Sequence, residues 1–150
     1  MPTVSRSALV AYTPDELFAL VNDVETYPQF LPFCVEARVL AREGDSTLAS
    51  MAFARAGIRQ GVMTRNTAQV PNRLDIELVE GPFSELRGAW EFRALGNDPA
   101  VPASKVTFSV TFAIDSQLVH FAAKPLIDEA AGLALDAFRK RAEQLYGKRS

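Results

Sequence analysis

Apolar and polar residues alternate with a period of two through most of this chain and switch to a period near 3.6 close to its end. Residues Thr3 to Val10 read as a first strand. Thr13-Pro14-Asp15-Glu16 then carries three start signals for a helix: a capping hydroxyl, a proline in the first turn and a glutamate three positions after the cap. Leu17, Leu20, Val21 and Val24 give that helix an apolar face through about Asn22, and Asp23 is placed to cap a following short turn. Pro28 and Pro32 bracket the next piece, with Phe30 and Leu31 on a very short helical turn and Phe33 leading out toward extended chain.

From Val35 onward strands dominate. Val35, Val39 and the run Leu48 to Phe53 predict two strands around the turn Glu43-Gly44-Asp45-Ser46, and Ile58 to Val70 predicts a third. After Pro71-Asn72-Arg73, the residues Leu74, Ile76 and Leu78 alternate with Asp75 and Glu77, as a half-buried strand requires. Gly81-Pro82-Phe83 breaks that run. Beyond it Leu86, Gly88, Trp90 and Phe92 share one face while Arg87, Glu91 and Arg93 share the other. In the last strand Val106, Phe108, Val110, Phe112 and Ile114 alternate with Lys105, Thr107, Ser109 and Thr111, and the stretch Gly96 to Ser104, with Pro99 and Pro102, is a loop between strands.

Gln117 to Tyr146 predicts one long helix. Leu126, Ala130, Leu133, Ala134, Ala137, Phe138 and Leu145 recur at steps of three and four, and Glu129, Asp136, Lys140 and Glu143 mark a wet face. Asp136 stands four positions before Lys140, the favourable order for a helical ion pair. Surface pairs cannot hold an isolated helix, so the apolar stripe needs a concave partner. Pro125 denies an amide proton to the carbonyl of Phe121, which predicts a kink or a fresh helix start at a cost of roughly 3 kcal/mol.

The predicted order is one strand, two short helices, six consecutive strands and a long helix, an α+β arrangement. Short turns between strands imply an antiparallel meander, and the natural solution is a strongly curved seven-stranded antiparallel sheet wrapped around the long C-terminal helix. From the pattern alone, the aromatic inner face is either solid core or the wall of a cavity between helix and sheet.

Composition narrows the chemistry. With 150 residues and 48% hydrophobic content, the chain suits a single domain spanning residues 1–150 around one core. A formal charge of −2 creates no overall field for nucleic acid or an anionic membrane. Cys34 has no disulfide partner, the N-terminus lacks a signal-peptide layout, and no apolar run approaches the ~20 residues that span a bilayer, so a cytoplasmic protein is expected. Catalytic candidates are few. His120, the only histidine, is an ordinary helical residue or a general acid-base without an identifiable partner. Cys34 reads as a small buried apolar group rather than a nucleophile. No His or Cys pair stands at metal-ligand spacing and no glycine-rich phosphate loop is present, so no catalytic residue, metal or required cofactor is assigned. Two basic clusters stand out: Arg139, Lys140 and Arg141 with Lys148 and Arg149, and Arg55, Arg59 and Arg65 on the sheet. Each also has a plain structural use, the first as a complement to a helix dipole.

Two stretches carry a family resemblance. Val21-Asn22-Asp23-Val24-Glu25-Thr26-Tyr27-Pro28-Gln29-Phe30-Leu31-Pro32-Phe33-Cys34 and Gly81-Pro82-Phe83-Ser84-Glu85-Leu86-Arg87-Gly88-Ala89-Trp90-Glu91-Phe92 resemble the signatures of the RatA and coenzyme Q-binding proteins. The similarity extends through Thr64-Arg65-Asn66 and the Phe138-to-Tyr146 segment. It implies the helix-grip fold of the START-like (Bet v 1-like) polyketide cyclase and lipid transport superfamily, with no enzymatic activity. It also implies a cavity between sheet and last helix that holds ubiquinone or a related polyprenyl lipid in support of respiration, with peripheral contact at the inner membrane. On that reading Tyr27, Phe30, Phe53, Trp90, Phe92, Phe108 and Phe112 line one wall, and Leu126, Leu133, Ala134 and Phe138 line the helix side. Arg65, Asn66 or Tyr27 would meet the quinone head, and Pro125 would gate the cavity. The alternative that the family carries is a ribosome-associated toxin that binds the large ribosomal subunit and blocks subunit association.

Overall fold

The computed structural model describes residues 3–96, 98, 100–115 and 117–149, for 117–124 as backbone only; Pro99 and the His120 side chain lie outside the described residues. Strand β1 (Thr3–Val10) is followed by helix α1 (Pro14–Asn22) and a 3-10 turn (Val24–Gln29). Strands β2 (Cys34–Glu43), β3 (Ser46–Arg55), β4 (Ile58–Gln69), β5 (Arg73–Glu80), β6 (Glu85–Ala94) and β7 (Ser104–Ala113) lead into helix α2 (Gln117–Tyr146). The strands form one seven-stranded antiparallel sheet in the order β1-β7-β6-β5-β4-β3-β2. The meander therefore closes with the first strand beside the last, and α1 with the 3-10 turn carries the chain from one edge to the other. This is the helix-grip arrangement that the element order predicts.

Local chemistry accounts for the first helix. The Thr13 hydroxyl accepts from the Glu16 amide at 3.1 Å and the Glu16 carboxylate accepts from the Thr13 amide at 3.0 Å, a complete capping box ahead of Pro14. Asp23 departs from expectation, since its side chain makes no cap bond. Its carbonyl serves instead, accepting from the Thr26 amide at 3.2 Å and the Thr26 hydroxyl at 2.7 Å, because a tight 3-10 turn brings those donors under the backbone. That turn includes Pro28 and ends before Phe30 and Leu31.

Strand faces follow the alternation. Trp90 and Phe92 are each 2% exposed, and Phe112 is fully buried against Val4 and Ala131. Thr111, one position away, bonds its hydroxyl to that of Thr3 at 2.9 Å on the opposite face.

Helix α2 differs from expectation in its rotation. The buried stripe is Ala131, Leu135, Phe138 and Ala142, flanked by Ala137 and by half-buried Ile127 and Tyr146. Leu126 is 62% exposed, Leu133 37% and Leu145 53%, so these three leucines turn away from the sheet. Ala130 is exposed with them, so the buried stripe lies about one position further round the helix than expected. Small residues on the inner side let the helix backbone lie close: Ala142 is fully buried, and a Cβ at Gly132 would stand 3.6 Å from the Arg6 guanidinium. Arg6, on the concave face of edge strand β1, donates from Nε and Nη2 to both carboxylate oxygens of Asp128, at 3.1 and 3.0 Å. Both partners are nearly half-exposed, so this pair orients the helix more than it stabilises it. The wet-face pair Lys140–Asp136 forms at 3.0 Å. Helix α2 runs as one helix through exposed Pro125, which opens no fresh start.

The chain's end is clamped to the corner between β1 and α1. Tyr12 donates to the Gly147 carbonyl at 2.7 Å and Tyr146 to the Glu16 carbonyl at 3.0 Å. Arg149 lies over the Tyr12 ring and donates to both Glu16 carboxylate oxygens at 2.7 and 3.0 Å, a hydrogen-bonded pairing that holds the Glu16 carboxyl below the usual carboxylate range.

Two outcomes are expected. Phe112→Asp abolishes the cooperative thermal transition followed by circular dichroism, because it puts a carboxylate in a fully buried site, whereas Thr111→Asp retains it. Arg149→Gln raises the Glu16 pKa toward its ordinary value and lowers stability at neutral pH. Because the folded-state pKa of Glu16 is depressed, this contribution is complete above the unfolded value of about 4.3 and is lost as pH falls through the folded one. Denaturant midpoints of the two proteins therefore differ at pH 7 and converge on acidification.

Candidate functional site

The concave face gathers the aromatic residues around Phe138. Its ring meets Trp90 at 4.9 Å, Phe30 at 5.0 Å and Tyr27 at 5.3 Å, each edge to face. Trp90 stacks on Phe108 at 4.3 Å and on Phe92 at 6.4 Å. Phe53 packs against the same cluster, and Phe112 belongs to a neighbouring one with Val4 and Ala131. Ala134 is half-buried, while Leu126 and Leu133 sit on the outer side of α2. Among the described residues, the space enclosed by Leu17, Leu20 and Val21 of α1, Trp90 and Phe92, and Leu135 of α2 is about 10 Å3, room for roughly one water.

The polar candidates separate by face. Tyr27 donates to the Val21 carbonyl, and burial pushes its hydroxyl well above the usual phenol range, so that group is committed to packing the 3-10 turn. Asn66 is 4% exposed on the concave face and accepts from the Thr64 hydroxyl at 3.0 Å, with Thr47 paired beside it on β3. Arg65 lies on the convex side, because strand neighbours point opposite ways. Cys34 is buried; burial pushes its thiol pKa up, and the thiol donates to the Glu36 carbonyl at 3.6 Å, an unreactive setting. Among the described residues no group of His, Cys, Asp and Glu is placed to hold a metal, and no helix is long and apolar enough to cross a membrane.

A second feature lies outside the grip. The exposed side of α2 and the segment following the 3-10 turn enclose a groove of about 400 Å3. Leu133, Ala137 and Gln144 line its helix side; Gln29, Phe30 and Pro32 line the other. Arg141 spans the two walls, with its guanidinium carbon 5.2 Å from the Phe30 ring centre, Nη2 donating to Gln29 at 2.8 Å and Nη1 to Gln144 at 3.3 Å. Its Nε is buried without a hydrogen-bond partner. No described carboxylate lies within ion-pair range of Arg141, although Asp136 in the same groove binds Lys140.

Next to the groove, Phe33 adopts φ 66°, a left-handed backbone that costs a bulky residue about 1–3 kcal/mol. Its carbonyl accepts from the Ala54 amide at 2.8 Å, which pins the conformation, and the residue is 43% exposed with Arg55 over its ring at 4.9 Å. The basic clusters of the sequence thus disperse. Arg139 and Lys140 face Asp136, Arg149 is clamped on Glu16, and Arg59 pairs with Glu36 at 2.6 Å. Arg55 and Arg141 remain beside the Phe30–Phe33 segment. Sequence reasoning had Arg141 only as one of a run and missed Gln29 and Gln144; the readable signal was the aromatic pair flanking Pro32.

Comparison with known proteins sorts these features. The chain is 40% identical over 144 residues to the ribosome association toxin RatA of Pseudomonas aeruginosa, covering 96% of this chain and 97% of that protein. To the mitochondrial coenzyme Q-binding protein COQ10 homolog B of Xenopus laevis it is 23% identical over 145 residues, covering 96% of this chain and 59% of that one. In structure it superimposes on a Streptomyces aromatase/cyclase with a TM-score of 0.84 across 95% of this chain and 94% of the other, a likeness of fold at 14% identity. Neither of these two sequence relatives is named for a reaction. It belongs to the START-like family of polyketide cyclase/dehydrase and lipid transport proteins, whose model matches residues 10–139.

Proposed function

We propose that this chain binds the large ribosomal subunit and hinders its association with the small one. The observation that carries this reading is the end-to-end likeness to ribosome association toxins, closer than the likeness to the coenzyme Q-binding protein. The surface supports it as well. With a net charge of −2, attraction to a ribosome cannot come from a whole-molecule field and needs cations that no neighbouring acid neutralises. Arg141 and Arg55 have no carboxylate within ion-pair distance among the described residues, and each lies over an aromatic ring. Sucrose-gradient sedimentation of the protein with separated subunits tests the reading. The protein is expected in the large-subunit fractions at low and moderate salt, with fewer assembled ribosomes formed; protein left at the top of the gradient contradicts it.

A second reading, a polyprenyl quinone held between α2 and the sheet, is favoured by one observation. Thr47, Thr64 and Asn66 form a buried polar patch on the concave wall, and the Asn66 amide nitrogen donates to no described residue. A quinone carbonyl would accept from it. Among the described residues, the space beside Phe138 is about 10 Å3. Mass spectrometry of organic extracts from the purified protein is expected to find a quinone that Asn66→Leu diminishes; extracts no richer than those of a control protein remove this reading.

A further inference from the structure

We infer that the groove between α2 and the Gln29–Phe33 segment is the docking site for a single-stranded stretch of RNA, with Arg141 on a phosphate and the Phe33 ring against a base. The inference rests on the ribosome reading above and names the surface that makes the contact.

The state of Arg141 is the first argument. Arg6, Arg38, Arg59, Arg73, Arg87 and Arg149 each lie within ion-pair distance of a carboxylate. Arg141 is instead held by two neutral amide oxygens and the face of Phe30. Amide oxygens orient a guanidinium without cancelling its charge, and the ring fixes its plane. The side chain is therefore already ordered while its charge remains available, which is what a planar fork needs to receive a phosphate without further loss of freedom.

Phe33 supplies the second, independent argument. Phe33 follows Pro32 of the groove wall in the chain and is an exposed bulky residue held at φ 66° at a cost in backbone strain. An exposed ring with Arg55 over it offers a stacking platform and a second cation, the pairing that unstacked bases use. The groove's volume of about 400 Å3 lies in the range of sites for small organic groups, and a nucleotide fits that scale. Its walls alternate amides and charges with Phe30, Pro32 and Leu133, which suits a base and its phosphate better than an uninterrupted lipid surface.

Filter-binding titrations of the full chain with purified large subunits and with protein-free large-subunit RNA, over a range of salt, test the inference. Arg141→Gln is expected to weaken both affinities about tenfold and to make the salt dependence shallower by about one ion. Arg141→Lys restores the salt slope but only part of the affinity, since an ammonium lacks the fork. Phe33→Gly removes the ring and relieves the positive φ, so it folds at least as stably as the parent protein and still loses about tenfold in affinity. Arg93→Gln, on an exposed strand position away from the groove, leaves binding unchanged. Wild-type affinity for subunits and RNA in both Arg141→Gln and Phe33→Gly overturns the inference while leaving the ribosome reading in place. A parent protein that binds subunits but not free RNA also overturns it, as does loss of binding only to anionic phospholipid vesicles, which assigns the groove to a membrane. A parent protein that binds neither subunits nor RNA removes both readings.

Discussion

The structure depends on the seating of one face of α2 in a curved sheet, and that seating depends on small residues. Ala131 and Ala142 let the helix approach the strands closely, and Phe138 enters the aromatic pocket made by Trp90, Tyr27 and Phe30. A fully buried phenylalanine stabilises by about 1.5–3 kcal/mol through burial alone, and its removal costs more because a cavity remains. Arg6 with Asp128 and the Tyr12–Glu16–Arg149 clamp set orientation and pin the chain's end, but the weight rests on the apolar contact.

The same contact builds the surface outside the grip. Phe30 turns one edge of its influence inward to Phe138 and carries Arg141 on its other side, so the core fixes where the groove's cation stands. Several other arginines are neutralised locally, as Arg73 is by Asp75 and Glu91. Recognition of a polyanion by a chain with net charge −2 must therefore rely on a few arginines that the fold leaves without acids.

Much of this architecture was legible in the residues. Strand faces were readable because alternation reports burial directly: the step from Thr111 to Phe112 is also the step from convex to concave face. The capping box at Thr13 and Glu16 was readable because both partners lie within four residues. The rotation of α2 was not. Two apolar stripes about one position apart fit the same helix, and the structure buries Ala131, Leu135, Phe138 and Ala142 while Leu126, Ala130 and Leu133 turn outward. For the site, the aromatic cluster was visible as composition, with Trp90, Phe92, Phe108 and Phe138 converging as the alternation implies. The groove was not, because it depends on two facts that no local pattern expresses: the positive φ of Phe33, and the rotation that turns Arg141 to Gln29 while Arg139 and Lys140 face Asp136.

The central claim is that the packed helix and sheet act as a rigid mount for a ribosome-binding surface around Phe33 and Arg141. Electron cryomicroscopy of large subunits incubated with the protein tests it most directly. The account predicts density for the chain with α2 still seated on the sheet and the Phe30–Phe33 segment and Arg141 against ribosomal RNA; a chain bound through its convex sheet face, or bound only after α2 has left the sheet, would contradict it.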